Sequence, residues 1–329
     1  MFPIHRSVRF LLVTATPGRA TNRVACRLDL DDPAELERLG DEPADAADWF
    51  RVHLTLATIE RVSGPDLAIP SLRDSTDLAI VERAAALFPP LGGASGWSAR
   101  FGRELNATDD REAFRPSTNS PPRQLANSLI PVFEGKHVEP FRTAGGDVRH
   151  YIQARDAARL LPDRRYQRRR LAYRDVASAT NRVTLIAAVL PADCVSTHTV
   201  FCLRTPLPLR VQYVLCGLFN SLVVNFLVRL RVTTHVTTAV VERLPIPTAE
   251  SAPAAFREIA ALARVLARRD DPEAFACLTA RVAELYQLSN DEFERVLSTF
   301  PLIPIERRAR ALAMFNTGQG RSSRGAGGG

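Results

Sequence analysis

The sequence predicts a mixed α/β chain of the α+β kind, and three observations carry that prediction. Apolar runs of strand length recur, above all at Leu129–Phe133, Val183–Pro191 and Thr199–Leu203. Segments with apolar residues at helical spacing lie before them and cluster after them, from Leu209 to Phe300. At 329 residues, 46% of them hydrophobic, the chain can bury a sizeable core and should divide into two or three units.

In chain order, Val8–Thr16 and Asn22–Leu30 read as two strands joined by the turn Pro17-Gly18-Arg19, a β-hairpin that needs cover on both faces. A hairpin so near the start is not stable alone and is expected to be the end of a larger sheet. From Asp31 to Leu91 the pattern is mostly helical, with a short helix at Pro33–Leu39 and another at Thr76–Phe88, stopped by Pro89-Pro90. Trp97–Phe114 is rich in charge and turn formers, and the polar run Ser117–Pro122 marks a first boundary near residue 120.

The second unit, 121–250, opens on the strand Leu129–Phe133 and the turn Glu134-Gly135-Lys136, then enters the most basic stretch of the chain. Arg155–Arg174 carries eight arginines against Asp156 and Asp163. Guanidinium groups pair phosphate oxygens in a fork and reach guanine edges, and the interleaved Tyr166 and Tyr173 offer stacking faces. A solvated helix face with salt-bridged arginines fits the same composition. After the strands at Val183–Pro191 and Thr199–Leu203, Leu209–Arg229 reads as one long core helix, and Thr233–Thr238 as a hydroxyl-rich loop suited to backbone contacts. The candidate DNA-binding set is therefore Arg164, Arg165, Tyr166, Arg168, Arg169, Arg170, Tyr173, Arg174, Asn181, Arg182, Thr233, Thr234, His235 and Thr237. For His235 a plain surface role fits equally well.

Residues 251–315 read as a helical cap with helices at Ala254–Arg268, Pro272–Tyr286 and Asp291–Phe300, the last opened by a capping box of Ser289 and Glu292. Residues 316–329 are mostly Gly, Ser and Arg and are expected to be disordered.

Net charge is +7, which favours an anionic partner, although one lysine, Lys136, stands against 42 arginines, so arginine abundance is partly a compositional habit. Five cysteines without a C-x-x-C pair read as reduced thiols of a cytoplasmic protein, and six scattered histidines lack metal-site spacing. The run Val214–Leu230 is too polar and short to span a membrane. No G-x-G-x-x-G, Walker loop or G-x-S-x-G occurs. Asp109-Asp110 with Glu112 is the one dense acidic knot, read as a turn rather than a metal-dependent nuclease centre.

Several blocks, in this order, carry a resemblance: Phe2–Phe10, Phe101–Asp110, Val132–Lys136, Tyr173–Pro191, Leu218–Ser221, Leu244–Pro247 and Leu285–Pro301. Together they resemble the C-terminal half of adenine-specific DNA methylases of the type IIG restriction-modification kind, and of related phage-defence methylases. The resemblance implies an upstream Rossmann-like domain that binds S-adenosylmethionine through a glycine-rich motif and holds the flipped adenine with an Asn-Pro-Pro-aromatic motif. Neither motif occurs here, since Phe88 precedes Pro89-Pro90 and Ser120 precedes Pro121-Pro122. The initial hairpin is then expected to be a remnant of that domain's sheet, and residues 121–250 a target-recognition domain. No cofactor is expected on this chain. Its expected partners are double-stranded DNA and a separate catalytic chain. Two other readings stay open: an arginine-rich RNA-binding or structural protein, and a complete DNA methyltransferase with an unrecognised site.

Overall fold

A computed structural model describes residues 11–18, 20–30, 32, 34, 50–64, 67–117, 128–144, 148–177, 181–232, 234–250 and 252–325. The chain divides into two compact units, 1–78 and 79–329. The expected divisions near residues 120 and 250 both fall inside the second.

In the first unit, strand β1 (Val24–Cys26) pairs antiparallel with β2 (Val52–Leu54). The helix α1 (Leu56–Ser63) follows, its first turn capped by the Thr55 hydroxyl, which accepts from the Thr58 amide at 3.1 Å. This pairing replaces the expected hairpin. Val8–Phe10 lies outside the described residues, and Leu11–Thr16 is exposed and without regular structure. Val52–Leu54 is the better partner because its alternation puts Val52 and Leu54 on a buried face, as period-two pairing requires. Among the described residues this sheet has two strands. The helix expected at Pro33–Leu39 lies outside the described residues save Ala34.

Helix α2 (Ser75–Leu87) crosses the division and opens on Asp74, whose carboxylate accepts from the Thr76 and Asp77 amides. The second unit then builds two four-stranded sheets. One has the order β3 (Phe101–Gly102), β10 (Val200–Leu203), β7 (Arg170–Arg174), β8 (Ala187–Leu190), all antiparallel. The other runs β4 (Phe114–Pro116), β6 (His150–Gln153), β5 (Leu129–Phe133), β9 (Val195–Ser196), with β5 and β9 parallel. A short helix, α3 (Ala154–Leu160), packs on the second sheet over a core that includes Ile130, Val132, Ile152 and Tyr166. The mixed α/β class expected from sequence is the class observed.

The long helix expected at Leu209–Arg229 is two, α4 (Leu209–Asn220) and α5 (Leu222–Arg229), bent by 63°. Ser221 makes the break: its backbone is extended, its hydroxyl donates to the Leu218 carbonyl at 2.7 Å and accepts from the Val224 amide at 3.2 Å. Asn220 and Asn225, both buried, use the break to hold the chain before β8. Asn225 Oδ1 accepts from the Thr184 and Leu185 amides, and Asn220 Oδ1 from that of Ala187. The Leu218–Ser221 block is thus a structural device. Among the described residues no single helix is long and apolar enough to cross a membrane, and the bent pair that meets the length and composition requirement together is buried almost throughout.

The remaining helices are α6 (Thr238–Glu242), α7 (Pro253–Arg268), α8 (Pro272–Leu285), α9 (Asn290–Ser298) and α10 (Ile305–Gly325). α4 packs on β7 and β8 and against α7, and α8 lies between α7 and α10. Gly217 permits the α4–α7 approach, since a Cβ there would come within 2.7 Å of Ile259. The capping box of Ser289 and Glu292 forms as expected, and Glu292 also pairs with Arg83 of α2. The tail is a correction: α10 runs through Asn316–Gly325, and 326–329 lie outside the described residues. Ala311 and Phe315 anchor its first half in the core, and the Ala- and Arg-rich start favours the helix that the following residues extend.

Candidate nucleic-acid interface

Strand β7 holds three of the expected contact residues, Arg170, Tyr173 and Arg174, and it runs through the middle of its sheet, between β10 and β8. A strand paired on both sides and covered by a helix has little surface to give. Arg170 is 4% exposed: its Nε and Nη2 both reach the Glu104 carboxylate at 2.7 Å, and Nη2 also donates to the Cys194 carbonyl. Burial opposes its charge, but the field and hydrogen bonds of Glu104 raise its pKa above the ordinary arginine value. Tyr173, 0% exposed, sits against Phe101, Phe201 and Phe219, with burial pushing its phenol pKa up and its hydroxyl unbonded. Tyr166 belongs to the small core of the second sheet. These three side chains are structural, which corrects the expectation that they meet a ligand.

The two ends of β7 are different. Before it, a 3₁₀ turn at Arg165–Gln167 follows Arg164, whose φ of 49° is left-handed. Arg164, Arg165, Arg168 and Arg169 are exposed here. Arg165 pairs with Asp163 at 3.2 Å and donates to the Arg204 carbonyl, while Arg169 donates to the Tyr213 hydroxyl at 3.0 Å. Among the described residues, the guanidinium groups of Arg164 and Arg168 have no ion pair.

Beyond β7 the chain opens into a cleft. Arg174 is half-buried, donates to the Val138 carbonyl, and has its pKa lowered by burial. Asp175, buried, accepts from Arg103 at 3.0 Å and pairs with His235 at 3.3 Å. The backbone at Asp175–Ala177 ladders onto Thr234–Val236, leaving Val176 58% exposed. Across from this, Thr197 donates its amide to the Phe133 carbonyl and the Thr199 hydroxyl accepts from the Gly135 amide, which fixes two turns face to face. The result is a cleft of about 400 Å³ lined by Ala107, Glu134, Gly135, Lys136, Arg174, Val176, Thr197, His198 and Thr199.

The other expected residues divide. Thr234 and His235 are exposed and reach Asp175–Ala177 beside the cleft. Thr237 is exposed and caps α6 through its hydroxyl, and Thr233 lies outside the described residues. Asn181 and Arg182 are exposed, but their carbonyls accept from Arg229, whose pKa burial pushes down to about 10 and whose guanidinium lies 4.0 Å over the Phe300 ring. Asp109 and Asp110 form a turn, accepting from the side chain and backbone of Asn106.

Lys136, His198, Arg103, Thr197 and Thr199 were not in the expected set. One signal pointed to the first: a lone lysine in a chain of 42 arginines. Thr197, His198 and Thr199 come beside Lys136 only through the β5–β9 pairing, which joins segments some sixty residues apart, and Arg103 reaches Asp175 through the other sheet; neither leaves a local pattern.

No family model matches this chain, and no curated protein matches it. Among solved structures, one described as the structural basis underlying complex assembly and conformational transition of the type I R-M system is similar to it at 16% identity, with a TM-score of 0.26. The match covers 73% of this chain and 52% of that one, so the chain spans about half the length of its neighbour. At that score the likeness carries no argument about function.

Chemically, the ends of β7 present cations, hydroxyls and imidazoles to solvent, roughly 16 Å apart for five extended residues. That set suits a polyanion.

Proposed function

We propose that this chain is a DNA-binding target-recognition fragment or subunit of an adenine-specific DNA methyltransferase, in a cytoplasmic restriction-modification or phage-defence system, with a separate chain supplying the catalytic half. One observation carries the reading. Three blocks of the resemblance, Phe101–Asp110, Val132–Lys136 and Tyr173–Pro191, lie far apart in sequence yet each contributes to the lining of the same cleft: Ala107, then Glu134–Lys136, then Arg174 and Val176. Docking would be electrostatic, with the exposed arginines before β7 meeting phosphates of the duplex. On this reading methyl transfer rests on residues outside this sequence, which carries neither the cofactor motif nor the adenine-holding motif that the resemblance implies.

The test is binding of the full chain to a labelled duplex and to a single-stranded RNA of equal length, between about 50 and 200 mM salt. Duplex binding should weaken steeply with salt and exceed RNA binding at least tenfold. Equal or tighter RNA binding would overturn the reading in favour of an arginine-rich RNA-binding protein. Binding of S-adenosylmethionine by the chain alone would overturn the division of labour.

A further inference from the structure

The charge pattern within the cleft is not that of a phosphate site. A phosphate offers acceptors alone and is met by donors alone. Here a carboxylate stands among the donors: Glu134 Oε2 lies 3.2 Å from Lys136 Nζ. Glu134 is held in place by its turn, since the His137 ring accepts from the Glu134 amide at 2.9 Å and the Glu134 carboxylate receives the His137 amide in return. Further donors stand beside the pair. His198 Nδ1 accepts from the Ala107 amide at 3.2 Å, so the neutral ring carries its proton on Nε2. Arg174 directs Nε and Nη2 to the carbonyls of Val138 and Lys136, which leaves Nη1 for a ligand.

One acceptor beside an excess of donors is the complement of a G·C pair viewed from the major groove. Guanine presents two acceptors there, O6 and N7, and cytosine one donor, its N4 amino group. O6 and N4 are bonded to one another and so lie about 2.9 Å apart, close to the spacing of Lys136 Nζ and Glu134 Oε2. An A·T pair presents the same count, but its two acceptors, thymine O4 and adenine N7, flank the N6 donor instead of standing side by side, so one ammonium next to a carboxylate cannot take both, and it adds a methyl group. Resting on the target-recognition reading above, we propose that the cleft reads one G·C pair, Lys136 donating to guanine O6 and N7 and Glu134 accepting from cytosine N4. The choice of lysine matters here. Every other basic residue of its class in the chain is arginine. A compact ammonium can serve two acceptors beside a carboxylate without the planar fork that guanidinium would impose.

The experiment selects duplexes from a pool randomised over ten consecutive positions, using the full chain and its Lys136→Met, Lys136→Arg and Glu134→Gln variants, with sequencing before and after. Both side chains are part-exposed, and a thermal melt of each variant confirms the fold. The wild type should enrich a motif containing a G·C position. Lys136→Met and Glu134→Gln should each lose about tenfold or more of the preference at that same position and keep it elsewhere, and Lys136→Arg should fall between. Loss at an A·T position, or a uniform drop in affinity with every preference intact, would overturn the proposal, the latter leaving Lys136 as a phosphate contact. A wild-type chain that binds duplexes without any preference overturns this inference and leaves DNA binding standing. A wild-type chain that binds no duplex overturns both.

Discussion

The middle of β7 and its two ends are built from the same residue types and put them to opposite uses. At Arg170 the guanidinium is sealed against Glu104 and Cys194, and at Tyr173 the ring is walled in by three phenylalanines. One residue before Arg170, Arg169 is exposed on the Tyr213 hydroxyl, and one residue after Tyr173, Arg174 enters the cleft. The difference teaches that a basic run is not one surface. Where it crosses a sheet, the cations inside become scaffold and those that overshoot become available to a ligand.

The largest effect should come from breaking the scaffold. Glu104→Ala would leave the Arg170 charge buried without its carboxylate and strip the Ser196 amide and hydroxyl of their acceptor. Removing one partner of a buried pair costs roughly 3–5 kcal/mol. Chemical denaturation of the variant should show a loss of that size, and a loss below about 1 kcal/mol would mean the pair is not what holds β7 to β3 and β9.

Two buried tyrosines sharpen the comparison at smaller scale. The Tyr286 hydroxyl donates to the Pro245 carbonyl at 2.6 Å, whereas the Tyr173 hydroxyl has no partner among the described residues. Tyr286→Phe should therefore cost about 1 kcal/mol, and Tyr173→Phe should cost nothing or stabilise, because it removes a buried polar group that is unsatisfied. Equal losses in paired melts would show that Tyr173 has a polar role after all.

Much of this fold was legible. The capping box at Ser289, the proline that opens α8, and the strands β5 and β10 each follow from local chemistry that needs no distant partner. The misreadings share a cause. Ser221 breaks a continuous apolar helix because Asn220 and Asn225 are needed to hold the chain before β8, a demand set some forty residues away. Val24–Cys26 pairs with Val52–Leu54 rather than its nearer neighbour, because pairing follows the buried alternation of the partner. At the site, composition located the arginines but not their burial, since inward and outward arginines at 168–170 differ only in what lies across the sheet. Of the cleft's lining, composition located Arg174 alone, and the Thr197–Thr199 turn across from it left no local pattern.

The most direct test of the contrast between the ends and the middle of β7 takes the Arg168→Ala/Arg169→Ala double variant of the full chain, one residue from the buried pair. Both side chains are exposed, so the melting midpoint should stay within about 2 °C of wild type. Duplex affinity should fall uniformly across sequences, and the slope of log affinity against log salt should become shallower by about 1 to 2. A midpoint lowered by many degrees with duplex binding intact would contradict this division of roles, placing these two arginines in the scaffold and the DNA elsewhere.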